Sequence, residues 1–242
     1  MSVKLTIERL AVDRGGVPVL ADFSHAFGGP TWVGIVGANG SGKTTLLRAM
    51  AGRLPVRSGR ILVGGADLAQ DRAGRAERIG FAVESAVLPS ELTPREIFAI
   101  SARRRDSLDD PAIAPLREAL NVEPFLDRKC GTLSAGMGHR VALLAAFLDL
   151  PEIVILDEPF NWLDPLTAYD VKIALRDFVA ERGIALITAL HDVTTLTAYC
   201  NSGILLAAGR IALSMDEAEL RSGLADPAGF EAFMVERLRA SR

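Results

Sequence analysis

Thr31-Trp32-Val33-Gly34-Ile35-Val36-Gly37-Ala38-Asn39-Gly40-Ser41-Gly42-Lys43-Thr44-Thr45 runs from an apolar stretch into a glycine-rich turn and then into a helical pattern. A short apolar run rich in branched side chains and closed by glycine predicts a buried strand. The glycines let backbone N–H groups approach a ligand with no side chain intervening. The helix that follows adds the positive end of its dipole. Gly37, Ala38, Asn39, Gly40, Ser41, Gly42, Lys43, Thr44 and Thr45 together read as a phosphate cradle. In it Lys43 reaches the β and γ phosphates of a nucleotide and the Thr44 hydroxyl holds Mg²⁺.

Further along, Ile153-Val154-Ile155-Leu156-Asp157-Glu158-Pro159 is a second apolar strand that ends in two adjacent carboxylates. Taken alone, that pattern is as often a strand-ending turn as a site. Beside a phosphate cradle, at the carboxyl end of a central strand, Asp157 holds Mg²⁺ through water and Glu158 polarises an attacking water. Strands are expected over residues 4–10, 19–27, 32–36, 61–63, 79–83, 153–156, 184–190, 204–207 and 210–213. Helices are expected over 43–51, 94–105, 115–120, 134–149, 165–182 and 193–199, with one more near the C-terminus. Strand clusters on either side of a helical middle predict one α/β domain over 1–242 with a helical subdomain inserted over 84–149.

Composition narrows the partners. Of the 242 residues, 49% are hydrophobic and 24% charged, which excludes a disordered or collagen-like chain. Lysine and arginine number 27 against 30 acidic residues, a net charge of -3, so nothing global favours nucleic acid and none is expected as a partner. Cys130 and Cys200 are too few for a disulfide framework and fit no paired metal spacing, which points to a reducing cytoplasm. Charge breaks residues 1–9 before a secretion signal can form, and the most apolar stretches are far shorter than the roughly 20 residues a spanning helix needs. Any membrane crossing must therefore be done by another chain.

Between the two strand-end motifs lies Leu133-Ser134-Ala135-Gly136-Met137-Gly138-His139-Arg140. Here the chain resembles the nucleotide-binding subunits of ATP-binding-cassette transporters, whose signature reads Leu-Ser-Gly-Gly-Gln between the two Walker motifs. Asn161-Trp162-Leu163-Asp164 matches that family's D-loop, and His191, after the strand over 184–190, matches its switch histidine. Five motifs in the family's order cover nearly the whole chain. The resemblance implies a P-loop NTPase fold: an α/β core, an N-terminal antiparallel β subdomain and an inserted α-helical subdomain. It also implies ATP with Mg²⁺, and a two-fold pair of ATP-binding subunits, homo- or heterodimeric, closing head to tail on each ATP. Ser134 and Gly136, at the start of a helix, form the second anion site in that sandwich. The resemblance makes Glu158 the base, puts His191 on the γ-phosphate and has Asp164 communicate between the two sites.

Three departures from the family pattern matter. Where an aromatic residue normally stacks on adenine the chain has Asp13-Arg14-Gly15. Arg14 either stacks its planar guanidinium on the base or is an ordinary surface arginine. Where a strand normally ends in Gln there is Glu84. It either ligates Mg²⁺ as a hard oxygen donor, repels the γ-phosphate unligated, or is a solvated loop carboxylate. In the signature, Ala135 and Met137 replace Gly and Gln, and Ser134 and Gly136 keep the donors.

The expected function is that of an ATP-hydrolysing subunit powering a separate integral membrane permease subunit from the cytoplasmic face of the plasma membrane. The insertion is expected to grip that permease. The run from Glu158 to Asp164 and the lack of a C-terminal regulatory domain are similar to compact subunits of two-component bacterial exporters, so export is expected over import. The alternative is a soluble cassette ATPase of a non-transport assembly, such as one that builds iron-sulfur clusters. A non-hydrolysing supporting subunit is a third reading, opposed by Glu158 and His191.

Overall fold

The apolar runs pair into two sheets in a computed structural model that describes residues 2–104 and 106–240. In chain order the first half comprises β1 (Ser2–Arg14), β2 (Val17–Gly29), β3 (Thr31–Val36), α1 (Lys43–Met50), β4 (Ser58–Val63), β5 (Ala66–Asp67), α2 (Arg72–Arg78) and β6 (Ile79–Phe81). Then come α3 (Pro94–Ser101), α4 (Ala114–Leu120), α5 (Ala135–Ala145), β7 (Ile153–Asp157), α6 (Pro165–Arg182), β8 (Ala185–Ala189) and α7 (Val193–Tyr199). β9 (Ser202–Ala207), β10 (Arg210–Met215), α8 (Glu217–Ala225) and α9 (Pro227–Ala240) follow. One sheet is antiparallel, in the order β2-β1-β4-β5. The other has the order β10-β9-β3-β8-β7-β6, with every pair parallel except the edge pair β10–β9.

The central sheet is covered on both faces, which is why its strands read as unbroken apolar runs. Alternate residues divide between two cores. Val33, Ile35, Ile153, Ile155 and Ile187 face the antiparallel sheet and α1, among Leu5, Phe23, Leu46 and Met50. Trp32, Val154, Leu156 and Leu186 face the other way, against Phe98, Leu175 and Leu196 of the helices and Phe147 of the turn after α5. Between β6 and β7 the described residues form only helices and short 3₁₀ turns.

Several bounds differ from the sequence expectation. β1 and β2 are longer than expected because bulges let the ladder continue past its irregular positions. The helix expected over 134–149 stops at Ala145. Asp149 and Leu150 then take positive φ, and the Asp149 carboxylate accepts the Arg103 and Arg104 backbone N–H groups at 2.6 and 3.2 Å. The helix expected over 94–105 stops at Ser101, and Arg105 lies outside the described residues, as does Met1. The turn from β4 into β5 and helix α2 give no strong apolar period and were not expected.

Trp32 is fully buried on β3, and its indole Nε1–H donates to Thr188 Oγ1 on β8 at 2.9 Å. Replacing Thr188 with Val keeps the shape and leaves a buried donor unpaired. Thr188→Val is expected to cost about 1–3 kcal/mol of stability in urea denaturation; a midpoint equal to wild type would mean the indole finds another acceptor.

Candidate functional site

Because β3, β8 and β7 are adjacent and parallel, their carboxyl ends meet at one edge, with Ile35 and Asp157 both in register with Ala189. The segments leaving that edge are the glycine loop, Glu158 and His191. A cleft of about 380 Å³ opens there, lined by Arg14, Val19, the loop from Asn39 to Thr45, and Glu158.

The loop turns tightly. A Cβ on Gly37 would lie 2.2 Å from the Leu206 carbonyl oxygen, so no larger residue fits without moving β9. Ser41 N–H donates to Ala38 O at 3.1 Å, and Ser41 O accepts from Gly209 N–H at 2.9 Å, which pins the loop to the β9–β10 turn. Gly42 caps α1 with no side-chain acceptor, so the helix presents its first N–H groups to the cleft. Lys43 is buried and folds back over the loop, its Nζ donating to Gly37 O at 2.7 Å and Ala38 O at 3.3 Å. Burial pushes its pKa down, and the charges of Glu158 and Asp157 pull it back up.

Burial also pushes the Asp157 carboxyl above the usual carboxylate range; the Thr44 hydroxyl beside it opposes this and the neighbouring Glu158 charge adds to it. Asp157 Oδ1 and the Ser41 hydroxyl are buried without a hydrogen-bond partner among the described residues. An orphaned carboxylate oxygen next to a threonine hydroxyl is a hard-oxygen donor pair suited to Mg²⁺, which takes one or two carboxylates and completes its shell with phosphate and water. Among the described residues no cluster of three His, Cys, Asp or Glu side chains forms an all-protein metal cage.

Glu158 sits at φ 51°, a left-handed conformation for a non-glycine residue ahead of a proline, which costs about 1–3 kcal/mol and must be held by its surroundings. Its N–H donates to Ala189 O at 3.2 Å. Its carboxylate takes His191 Nε2 at 2.5 Å on one oxygen and Asn161 Nδ2 at 2.7 Å on the other. The base and the switch histidine expected from sequence are thus in direct contact.

Not every expected residue joins this cleft. Ser134 caps α5, its Oγ accepting Met137 N–H at 3.2 Å while its own proton stays available, and neither it nor Gly136 lines the cleft that holds Lys43. Asp164 caps α6. Its Oδ1 accepts Thr167 N–H at 3.1 Å, and its Oδ2 accepts the Thr167 hydroxyl at 2.7 Å and Arg140 Nη2 at 2.9 Å. The Thr167 hydroxyl and N–H, with Arg140, hold its carboxyl below the usual range. Glu84, expected to end a strand, lies past β6 and pairs with Arg48 of α1. Arg14 is exposed at the rim, beside Val19 and Asn39. Sequence reasoning did not single out Arg48, His139 or Arg140; each acts through a contact distant in sequence.

A cradle of backbone donors with a buried lysine, an orphaned aspartate and a glutamate–histidine pair at one sheet edge defines a nucleotide-hydrolysing cassette. The chain matches the ABC transporter family over residues 20–161 and belongs to it: it is an ATPase, the ATP-binding subunit of an ABC transporter. It is 33% identical over 221 residues to the hemin import ATP-binding protein HmuV of Bordetella parapertussis, covering 86% of this chain and 84% of that one. It is 30% identical to the cobalamin import ATP-binding protein BtuD of Halobacterium salinarum, over 86% of this chain and 54% of that one. A solved structure of an ATP binding subunit of an ABC transporter superimposes with a TM-score of 0.83 at 25% identity, covering 96% of this chain and 99% of the other.

The Arg48–Glu84 pair is partly exposed, so it contributes modestly. A double-mutant cycle of Arg48→Ala and Glu84→Gln is expected to give a coupling of about 0.2–1 kcal/mol in thermal or urea unfolding. Strict additivity would show that the two side chains do not pair in solution.

Proposed function

We propose that ATP binds with its triphosphate along Gly37–Thr45 and its base toward Arg14, and that Glu158 is the base for the attacking water. The observation that carries this reading is the convergence of the Lys43 cradle, the orphaned Asp157 Oδ1 and the Glu158–His191 pair at one edge. Lys43 leaves the Gly37 and Ala38 carbonyls to meet β- and γ-phosphate oxygens, exchanging neutral acceptors for charged ones. The Ser41 hydroxyl, unpartnered in its burial, donates to a phosphate oxygen. Thr44 and Asp157 hold Mg²⁺, which supplies positive charge to the β and γ phosphates. Glu158 keeps lone pairs free beyond those used by His191 and Asn161, and one of them accepts the proton of water. His191 orients that carboxylate and, once the γ-phosphate is present, donates to it instead. Glu84, held by Arg48, reaches the metal only if that pair opens.

Ser134 and Gly136, away from this chain's own cleft, serve the nucleotide of a second ATP-binding subunit, identical or not. Trp162, Leu166 and Tyr169 are large, apolar and exposed beside the signature and on the first turns of α6, which supports their burial in that pairing. Among the described residues no helix is long and apolar enough to cross a membrane. The transporter relatives support a separate permease subunit that does the crossing, with this chain at the cytoplasmic face of the plasma membrane. A cavity of about 680 Å³ runs from Thr44, Asp157 and Glu158 outward to Leu54, Phe81 and Val87, and its outer end, away from the metal and water positions, would take the permease's cytoplasmic segment. The import functions named for the hemin and cobalamin relatives support inward transport over the outward direction expected from the run Glu158 to Asp164.

Glu158→Gln is expected to retain ATP binding, to lose at least about 100-fold in turnover, and to accumulate an ATP-bound dimer on gel filtration; turnover at the wild-type rate would refute the base assignment. Lys43→Ala should instead abolish tight nucleotide binding. Arg14→Ala should weaken it by about 0.5–2 kcal/mol, with Arg14→Tyr restoring it; three equal affinities would leave Arg14 outside the site. Detergent extraction of the host membrane should co-purify a polytopic chain in stoichiometric amount, and purely soluble partners would favour a non-transport assembly. In proteoliposomes of that complex with ATP sealed inside, accumulation of heme or a corrinoid would fit import, and loss of preloaded ligand would fit export.

A further inference from the structure

His139 lies on the second turn of α5, the helix that begins at the signature Ser134, and it is buried. Its Nε2 is 2.8 Å from the carbonyl oxygen of Pro159, the residue after Glu158. A carbonyl only accepts, so Nε2 carries the proton and donates. Burial pushes the ring's pKa down, which favours the neutral form with a single N–H. Pro159 has no N–H of its own, so this carbonyl is its one polar backbone group, and His139 occupies it.

The contact belongs to a set of three. One turn earlier, a Cβ on Gly136 would come within 2.7 Å of the Trp162 carbonyl oxygen, so the start of α5 lies directly on the segment that follows Glu158. Next to His139, Arg140 donates to Asp164 and to Thr167 Oγ1 at 3.1 Å. α5 is therefore fastened to residues 159–167 along its first two turns, and the fastening closest to Glu158 is His139.

We propose that His139 is a positioning residue for hydrolysis: by holding the Pro159 carbonyl it keeps Glu158 in its left-handed backbone conformation and its carboxylate aimed at the attacking water. The inference rests on Glu158 being the base. Glu158 at φ 51° does not hold itself. Its N–H is tied to Ala189 on one side, its carbonyl takes the Asn161 N–H at 3.4 Å within the same turn, and the next carbonyl along, that of Pro159, is tied to α5 by His139. Without that bond the Glu158–Pro159 linkage can relax toward an extended conformation and carry the carboxylate away from its target. Lys43, Thr44 and the glycine loop lie on other elements and stay as they are, so nucleotide binding is spared. The same bond ties the helix that serves a partner's nucleotide to the base that serves this chain's own.

The test compares two substitutions in the full-length chain, with Glu158→Gln alongside. His139→Leu fills the site without a donor; His139→Gln replaces the ring with an amide N–H of similar reach. His139→Leu is expected to lower kcat about 10- to 100-fold while the ATP dissociation constant, measured by nucleotide titration, stays within about twofold. His139→Gln is expected to recover most of the lost kcat. Equal kcat in wild type and His139→Leu would overturn the proposal. So would a Gln variant as slow as the Leu variant, or a parallel loss of ATP affinity in both, since a purely structural role would produce these. If the Leu variant does not fold, His139→Met takes its place under the same criteria. Wild-type turnover in Glu158→Gln would instead remove the base assignment beneath the proposal, whatever the His139 variants do.

Discussion

A lysine ammonium buried beneath its own loop is the constraint on which the rest of this structure depends. Lys43 loses most of its hydration, and a bare buried charge of that kind is strongly unfavourable unless it is partnered. Two carbonyls of the loop are its hydrogen-bond partners, and the charges of the two carboxylates at the end of β7 favour it from beyond ion-pair contact. The carbonyls require the tight turn at Gly37, and that turn requires the close approach of Leu206 on β9. The carboxylates require β7 to end level with β3, which the shared register with β8 enforces. One side chain therefore ties together the loop, the strand order and the level at which three strands stop.

The five charged side chains at the site, Asp157, Glu158 and Glu84 against Lys43 and Arg48, leave one negative charge in excess, and their arrangement bears on two features that would otherwise look like defects. Asp157 and Glu158 stand side by side against Lys43 and Arg48. The burial of Asp157 raises its pKa, so the carboxylate is poised to gain from any cation placed between it and Thr44. Glu84, in the place where the family pattern has a neutral amide, adds another negative charge near this group. Arg48 answers it from the helix that begins at the phosphate loop. The substitution is tolerable because its partner sits on the element that also carries Lys43.

Which residues meet at the sheet edge was legible in the sequence, and their long-range contacts were not. A glycine turn at that spacing between an apolar strand and a helix reads as a phosphate cradle, and Asp157-Glu158 at a strand end gained meaning from it. The strands of the central sheet could be read because burial on both faces leaves continuous apolar runs. The left-handed conformation of Glu158 left no trace, since neither glycine nor asparagine marks it. Arg48 lies 36 residues from Glu84 in the chain, and an arginine in a helix gives no hint of its partner. His139 was hidden for the same reason: within a helical period a lone histidine reads as an ordinary core residue, and only the fold shows that it faces Pro159. α2 escaped because its seven residues show no apolar stripe and bury only an arginine, Arg75, whose guanidinium donates to the Leu68 and Ala69 carbonyls.

The contacts of Asp164 change how two sites in a pair of subunits could influence one another. Both of its carboxylate oxygens are committed within the chain, one to Thr167 N–H and the other to the Thr167 hydroxyl and Arg140. Oδ1 accepts a single bond, so it keeps a lone pair for a donor across an interface while it caps α6. The neighbouring residues lie closer to the base. Asn161 already holds Glu158 through its side-chain amide, and Trp162 is exposed with its carbonyl against the signature helix. A force applied to the indole of Trp162 by a second subunit would be felt one residue away at Asn161, and through Asn161 at the Glu158 carboxylate. If two such chains pair as proposed, Trp162 and Asn161 give a contact at that surface a short path to the Glu158 carboxylate, and Asp164 ties the end of the same segment to α5 through Arg140.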